Sequence, residues 1–303
     1  MVKKRLAALC LALGLLLCAG SAAAQSQNTP LVYRVTDDQG HTLYLVGTIH
    51  VGDEKMQSFS PALEEAYTAC DYLAVEIDLV AYQKNLLKQL MTTTMMVYPL
   101  GDSAKNHLPQ DVYEGVPAAV GLPESALKRM RPFAWLSYLQ KKIYAEAGLT
   151  SENGLDMRLL TRAHKEKKPI RALESVDSQL ALLADMPEDV IVEQLRMMLA
   201  YPRAASGGIR LLYTVWAQGD AQWLRALLAQ DAKGLSEAAA ASYALYAERM
   251  YGARDAAFAQ QAEECLQSGQ TVLFAVGAAH IVGQNGVVDR LAQAGYHIEE
   301  IGK

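Results

Sequence analysis

Two stretches of this 303-residue chain share one pattern: "LYLVGTIHVG" at Leu43–Gly52 and "LFAVGAAHIVG" at Leu273–Gly283. In each stretch an apolar run of strand type ends in Val-Gly, and a histidine follows that glycine by three residues. The two histidines are His50 and His280. A single Gly-x-x-His motif carries little information, but its repetition in matched strand-end contexts predicts that the two ends of the chain build one core and one site.

The glycines of the two motifs have a physical role. Gly47 and Gly277 let the backbone leave a strand in a conformation that a side chain would penalise. The residues that follow then swing the histidine back over the end of the strand, and the missing side chain leaves room for a ligand. We therefore predict that Gly47 and Gly277 give structural support to a site that contains both histidines.

The fold class predicted from the remaining pattern is α/β (α+β), with a mixed sheet assembled from both chain ends. Leu31–Thr36 and Thr42–Val46 flank the turn-forming sequence "DDQG" and predict a β-hairpin. Helical periodicity dominates between the terminal strands, in insertions at about 80–165 and 177–267. Further strands are predicted at Tyr72–Asp78, Ile170–Leu173, Thr271–Val276 and Tyr296–Ile301.

The first 24 residues have the features of a signal peptide. A basic start is followed by an apolar run that is short for a membrane span, and "AAA" precedes a predicted cleavage site after Ala24. Loss of three cations would move the net charge from −5 to about −8, which argues against nucleic acid as a partner. We expect a periplasmic or secreted domain at 25–303 without a membrane span.

Acidic residues follow two of the predicted strands. Glu76 lies at the end of one strand and Glu174 at the end of another, with Asp78 as an alternative to Glu76. In open α/β sheets ligands bind beyond the carboxyl ends of the strands, so these carboxylates are expected near His50 and His280. Two imidazoles and a carboxylate suit a divalent ion such as zinc, manganese or cobalt. A second carboxylate could then accept a proton from metal-bound water, and hydrolysis of an amide or ester is the natural reaction class.

Other motifs of known chemistry are absent from the sequence. It contains no HExxH, GxSxG, GxGxxG or Walker motif, so zincin, serine-hydrolase and nucleotide-binding readings lack support. Two cysteines, Cys70 and Cys265, remain after the signal segment. Export permits a disulfide between them, and two buried free thiols are the equal alternative.

The order of these motifs resembles that of the TraB/GumN (TraB/PrgY/GumN) family. The resemblance rests on the paired Gly-x-x-His motifs, "VEID", "GLDMRLLTRAHKEKKPIRALESVDSQ", "ERM", "RD" and the terminal Gly-Tyr strand, and it spans about Leu31–Ile301. That family includes the Tiki-type metalloproteases and is more distantly similar to erythromycin esterases and haem-binding ChaN-type proteins. The resemblance implies a pseudo-symmetric core, with the two histidine motifs facing each other across one cleft.

The resemblance also implies roles for particular residues. His50, His280 and Glu76 are the main active-site candidates, and Arg249 of the Glu248–Arg249 pair would stabilise an oxyanion, with Arg254 as a competitor for that place. One position departs from the family pattern, because Met250 stands where the family often has asparagine. Asp156 and Gln179 match family positions, and we interpret both as structural.

Three hypotheses follow from the sequence. The leading one is an exported, metal-dependent peptide hydrolase of Tiki type, in which His50, His280 and Glu76 bind manganese, cobalt or zinc. In it Glu76 or Glu174 serves as the base and Arg249 steadies the developing negative charge. The second is a non-catalytic protein that captures a peptide or haem in the same cleft. The third is a metal-free esterase with one histidine as the general base.

Overall fold

A six-stranded mixed sheet lies at the centre of the computed structural model, which describes residues 29–55, 58–230 and 232–302. The predicted signal peptide at 1–24 lies outside these residues. The strands are β1 (Val32–Thr36), β2 (Thr42–Thr48), β3 (Tyr72–Val75), β4 (Ile170–Ala172), β5 (Val272–Gly277) and β6 (His297–Ile301).

The order of the strands is β4-β3-β5-β2-β1-β6, so the chain ends do meet in one sheet. Strands β4, β3, β5 and β2 run parallel, whereas β1 is antiparallel to both β2 and β6. The predicted hairpin is confirmed: Asp37 accepts hydrogen bonds from the backbone N–H of Gln39 and His41, and Gly40 adopts a φ of +83° that favours glycine. The predicted mixed α/β architecture is therefore confirmed at the level of the sheet.

Helices fill the chain between the strands, in two main blocks. The first block lies between β3 and β4, and the second lies between β4 and β5. Before them comes α1 (Pro61–Ala69), where Ser60 is the N-cap and accepts a hydrogen bond from Leu63 N–H. The first block contains α2 (Leu79–Lys84), α3 (Leu86–Thr93), α4 (Gln110–Val120), α5 (Glu124–Leu127), α6 (Pro132–Glu146) and α7 (Leu155–Glu166).

The second block carries a π-helical turn at Glu248–Gly252, which leads directly into the helix that ends before β5. The block contains α8 (Val176–Ala184), α9 (Glu188–Ala200), α10 (Pro202–Ala217), α11 (Ala221–Leu228), α12 (Glu237–Ala247) and α13 (Ala253–Gln267). The short α14 (Ala278–Val282) and α15 (Val287–Gln293) follow β5 and precede β6. No helix in the described ranges has the length and apolar character needed to cross a membrane.

The hydrophobic core has two parts. The larger part surrounds the sheet, where the central strands β2, β3 and β5 are buried on both faces, as expected for parallel strands covered by helices. A second cluster joins helices of the two blocks around Trp135 and Leu195. Cys70 and Cys265 are both buried and unbridged, which agrees with the free-thiol alternative.

Two predicted strands end earlier than expected. β3 stops at Val75 rather than Asp78, because Asp78 leaves the sheet to cap α2 by accepting from Ala81 N–H and also lies 2.9 Å from Nε2 of His164. β4 stops at Ala172 rather than Leu173. These early ends place Glu76 and Glu174 just beyond the sheet, where their side chains are free to meet other elements.

A buried hydrogen bond fixes the helical cover to the sheet. Nε1 of Trp216 in α10 donates to the carbonyl oxygen of Gly47 in β2 at 2.8 Å, and the Trp216 side chain is fully buried. We predict that Trp216→Phe lowers the free energy of unfolding by about 1–3 kcal/mol, because the Gly47 carbonyl loses its indole donor in a buried place. Urea unfolding followed by far-ultraviolet circular dichroism measures this change.

The control for this variant is Trp223→Phe in α11, where the indole is only partly buried. It should change the free energy of unfolding by less than about 0.5–1 kcal/mol, as is usual for such sites. Equal losses in the two variants would contradict a specific role for the bond between Trp216 and Gly47.

Candidate functional site

Four parallel strands bring the predicted site residues to one edge of the sheet. His50 follows β2, Glu76 follows β3, Glu174 follows β4, and His280 lies in α14 directly after β5. Because these strands are parallel neighbours, their carboxyl ends lie side by side. The expectation that these histidines and carboxylates share one rim of the sheet is confirmed.

A cavity of about 690 Å³ opens above this edge. Its floor contains Glu76, Arg254 and His280, and His50 with Asp156 lies at one side. Helices of both blocks form its walls. The volume falls in the range of roughly 300–1,000 Å³ that is usual for pockets that hold small molecules.

Arg254, at the start of α13, lies among the two strand-end carboxylates. Its Nη2 donates to Oε2 of Glu76 at 2.8 Å and to Oε2 of Glu174 at 2.8 Å, and its Nε donates to Oε1 of Glu174 at 2.8 Å. Nη1 donates to Nε2 of His280 at 2.8 Å and to the Met250 carbonyl at 3.2 Å. All five N–H donors of the guanidinium therefore have partners within the protein.

Both carboxylates also accept hydrogen bonds from other residues. Oε1 of Glu76 accepts the backbone N–H of Gly277 at 2.7 Å, and Nε2 of Gln179 donates to Glu76 at 2.8 Å and to Glu174 at 3.0 Å. Burial alone would raise the pKa of Glu76, but the charges of His50 and Arg254 and the hydrogen bond from the Gly277 backbone N–H outweigh it and hold that pKa below its usual value. Glu76 is therefore ionised and held in place at neutral pH.

His280 is buried and has both ring nitrogens engaged. A guanidinium only donates, so Nε2 of His280 accepts from Arg254, and Nδ1 donates to Oδ1 of Asp255 at 2.5 Å. Burial raises the pKa of Asp255, and the hydrogen bond from His280 opposes this increase. In this arrangement His280 connects Arg254 to Asp255 and has no free lone pair for a ligand.

His50 is far more exposed to the cavity than His280. Nδ1 lies 2.8 Å from Oδ2 of Asp156, whereas the ring faces the cavity with its side chain 74% exposed. The charge of Asp156 raises the pKa of His50 to about 9, and the burial of its surroundings opposes the shift only in part. Burial would raise the pKa of Asp156, but the charge of His50 outweighs it and lowers that pKa. The two side chains form an ion pair at neutral pH.

The loop that carries His50 is fixed by close backbone contacts with the segment before α7. Gly52 exchanges two backbone hydrogen bonds of 2.9 Å with Thr150, and Leu155 N–H donates to the Ile49 carbonyl at 3.0 Å. A Cβ at Gly154 would lie 2.7 Å from the backbone of His50, which is closer than atoms tolerate. The position of His50 therefore depends on this glycine and on the start of the helix that carries Asp156.

The two motif glycines allow the close approach of neighbouring groups. A Cβ at Gly47 would lie 3.1 Å from Ala278 of the other motif, and a Cβ at Gly277 would lie 3.2 Å from Oε1 of Glu76. Gly47 thus lets the two motifs pack against each other. Gly277 lets its own backbone N–H reach the Glu76 carboxylate.

Arg249 is not brought to this cluster. It forms an ion pair with Asp185 at 3.0 Å, with its own side chain 54% exposed. The π-helical turn places Met250 and Tyr251 in the cavity lining, and Arg254, which the sequence offered as the competitor, takes the place among the carboxylates. Met250, which stands where the family often has asparagine, accepts from Nη1 of Arg254 with its backbone carbonyl at 3.2 Å and with its sulfur at 3.6 Å.

Three further residues belong to the site although the sequence indicated no chemical role for them. Asp156 orients His50, Asp255 orients His280, and Gln179 bridges the two glutamates. Asp156 and Gln179 lie in the long motif that carries the family resemblance, which was a signal for more than structure. Asp255 directly follows Arg254 in the "RD" motif of the same resemblance, which is the signal that could have pointed to it.

A divalent ion does not fit the described arrangement. Arg254 holds a fixed positive charge against Glu76 and Glu174 and takes the lone pair of His280 that a metal would need. Within the described ranges, no group of three or more histidine, cysteine or acidic side chains has the spacing of a metal site. Of the predicted ligand set, His280 and Glu76 therefore contact the guanidinium of Arg254, whereas His50 pairs with Asp156.

Comparison with known proteins gives a family match over most of the chain. The model of the TraB/PrgY/gumN family matches residues 31–300. An uncharacterized protein of Treponema pallidum (strain Nichols) is 24% identical over 271 residues, which cover 87% of this chain and 80% of that protein. The uncharacterized protein YbaP of Escherichia coli (strain K12) is 23% identical over 148 residues, which cover 48% of this chain and 53% of YbaP.

No solved structure gives a significant match to this chain. The match of the family model extends from the first strand of the sheet to the last and includes every residue of the site. The chain belongs to the TraB/PrgY/gumN family.

Proposed function

We propose that this chain is a hydrolase that cleaves ester or amide bonds, peptide bonds among them, with His50 as the general base. The observation that carries the proposal is the pair of His50 and Asp156, in which Nδ1 meets a carboxylate at 2.8 Å while the ring faces the cavity. A carboxylate in this position fixes the tautomer of an imidazole and stabilises its protonated form, as in catalytic triads.

The proposed step uses one water molecule. The water oxygen attacks the carbonyl carbon while Nε2 of His50 accepts a proton from the water, and the carbonyl electron pair moves to oxygen. The tetrahedral anion then expels the leaving alcohol or amine, which takes the proton back from Nε2. Asp156 stabilises the imidazolium between these two transfers.

Arg254 contributes charge rather than a hydrogen bond to this step. Its donors are all engaged by Glu76, Glu174, His280 and the Met250 carbonyl, so it holds a positive charge in a fixed place near the developing anion. Glu76 and Glu174 each accept three hydrogen bonds, and Arg254 donates to both of them. We therefore assign them to the positioning of Arg254 rather than to general base catalysis.

The metal-dependent form of the hydrolase stays a separate prediction. One observation favours it, because each of His50 and His280 has a carboxylate on Nδ1, as histidines that bind metals usually do. It requires Arg254 to leave the cluster so that manganese, cobalt or zinc could reach His280 and Glu76. The cavity as described favours the metal-free route.

The alternative of a non-catalytic protein rests on the same cavity. A peptide or haem held there would use the apolar walls and the exposed imidazole of His50 without turnover. Three further parts of our proposal rest on the sequence. They are export after cleavage near Ala24, a single domain at 25–303, and a pseudo-symmetric core like that of erythromycin esterases and ChaN-type proteins.

Loss of the His50 imidazole tests the proposed base. We predict that His50→Gln lowers kcat/KM for a fluorogenic ester or peptide substrate by about 10²–10⁴-fold, because no group then accepts the proton of the attacking water. The matched control is His41→Gln, since His41 also pairs with an aspartate, Asp37, but in a surface turn. Equal activity of the His50 variant and the wild type would rule out this mechanism.

The pH dependence follows from the ion pair of His50 and Asp156. The pKa of His50 is raised to about 9, so the neutral base forms only as the pH rises, and kcat/KM should increase through the alkaline range. The same shift stabilises the folded chain most fully below the unfolded pKa of about 6.5, and this contribution disappears as the pH rises through the folded value.

Replacement of Asp156 tests both the cause of the raised His50 pKa and its contribution to stability. Asp156→Asn should lower the pKa of His50 toward about 6.5, as measured by NMR of the imidazole protons. The difference in unfolding free energy between wild type and variant should narrow as the pH rises toward the folded pKa of His50. An unchanged His50 titration in the variant would contradict the assigned cause.

Metal analysis distinguishes the metal-free hydrolase from the metal-dependent form. We predict that purified mature protein contains no stoichiometric manganese, cobalt or zinc, and that a chelator changes kcat/KM by less than about twofold, since Arg254 supplies the fixed positive charge. Stoichiometric metal together with chelator-sensitive hydrolysis that the metal restores would favour the metal-dependent form instead.

A further inference from the structure

The cavity above the site has a strongly uneven distribution of charge. Among the residues that line it, the acidic, basic and histidine side chains are His50, Glu76, Asp156, Arg254 and His280. All five belong to the site at the strand ends. A ligand in this cavity therefore meets its charged partners at one end only.

The walls that rise from this floor are mainly apolar. Leu180 and Leu183 of α8 form one part, and Leu212, Leu224 and Leu228 of α10 and α11 form another. An extended peptide against such walls would bury backbone N–H and C=O groups with few partners, which costs free energy. A hydrocarbon chain has no such groups and gains from the same burial.

The rim of the cavity carries a second, independent observation. Helix α3 lies between two lining residues, Tyr82 before it and Met96 after it, and Lys88 of α3 pairs with Asp177 of α8. Its apolar face points outward rather than into the core. The exposed side chains of that face are Leu86 (79%), Leu87 (68%), Leu90 (67%) and Met91 (60%).

The polar face of the same helix points inward. Thr92 is buried and hydrogen-bonds to Tyr82 at 2.6 Å. In an ordinary globular helix the apolar stripe faces the core, so this inverted arrangement needs an apolar partner on the outside. The outward face of α3 does not line the cavity, but it presents an open apolar surface between two residues of the chain that do.

We propose that the substrate carries a long apolar chain on the acyl side of the scissile bond, as in a fatty acyl ester or an N-acylated peptide. This inference rests on the proposed function, because it places the carbonyl group at His50 and Arg254. The chain then runs along Leu180 and Leu212 and leaves past Leu183 toward α3. Short or wholly polar substrates would leave these walls in contact with water.

The test is a series of p-nitrophenyl esters from acetate through butanoate and octanoate to dodecanoate, with the His50→Gln protein as background. Full burial of each added methylene corresponds to about a fourfold gain, so kcat/KM should rise at least about tenfold from acetate to octanoate. The matching series of acyl anilides extends the test to amide bonds.

Cavity-filling variants test where the apolar chain of the substrate lies. Leu180→Trp fills the wall and Leu183→Trp fills the half-exposed rim, so each should lower the ratio of kcat/KM for octanoate to kcat/KM for acetate at least about tenfold. Leu183 is 38% exposed, which makes its variant the safer one for folding. The control is Leu245→Trp, a leucine that is 75% exposed on α12 and does not line the cavity.

The outcomes separate the two proposals. Hydrolysis that does not depend on acyl length, or that is equally affected in the Leu180, Leu183 and Leu245 variants, would overturn the apolar substrate and leave the hydrolase intact. If no ester or anilide is cleaved, the proposed function fails, and calorimetric titration with dodecanoate decides the inference. Binding at one site per chain that Leu183→Trp weakens and Leu245→Trp leaves unchanged supports it, and no binding overturns it.

Discussion

The guanidinium of Arg254 joins the ends of three strands. It contacts Glu76 after β3, Glu174 after β4 and His280 after β5, all at 2.8 Å. Two largely buried carboxylates that share Gln179 would repel each other without a cation between them. The guanidinium of Arg254 therefore holds Glu76, Glu174 and His280 together in the floor. His280 and Asp255 continue this network into the core, so the floor is rigid and leaves little freedom to any of its members.

The two Gly-x-x-His motifs place their histidines in different surroundings although their sequences match. In register, Gly47 lies opposite Val276 and Thr48 lies opposite Gly277, so the motifs are offset by one residue across the parallel pair. After β5 the chain enters a helix at once, which buries His280 between Arg254 and Asp255. After β2 it continues as an irregular loop, which leaves the His50 ring exposed to the cavity. One histidine completes the floor, and the other is available to a substrate.

The sequence was sufficient to predict which residues lie at the sheet edge but not which arginine contacts them there. His50, His280, Glu76 and Glu174 follow apolar runs that read as strands, and the order of parallel strands places such residues together. Arg254 could not be distinguished from Arg249 because both lie on one helical stretch, and a π-helical turn between them changes which face points inward. Nothing in a local pattern records such a turn.

The acids that orient the histidines were missed for a related reason. Asp156 reaches His50 over 106 residues of chain, because a bridge between Gly52 and Thr150 brings the start of α7 to the β2 loop. Asp255 sits inside a helix with the composition of many surface helices. Their roles depend on tertiary contacts. The early end of β3, in contrast, had a local signal, since Asp78 before an apolar helix is an N-cap residue.

Gln179 links the parts of the cavity that serve different purposes. The charged floor comes from the strand ends and α13, and the apolar walls come from helices of the two inserted blocks. Gln179 belongs to a wall helix, α8, yet its amide donates to Glu76 and Glu174 in the floor. The hydrogen bonds of Gln179 therefore join a wall helix to the two carboxylates that hold Arg254, so the position of α8 and the geometry of the floor depend on each other.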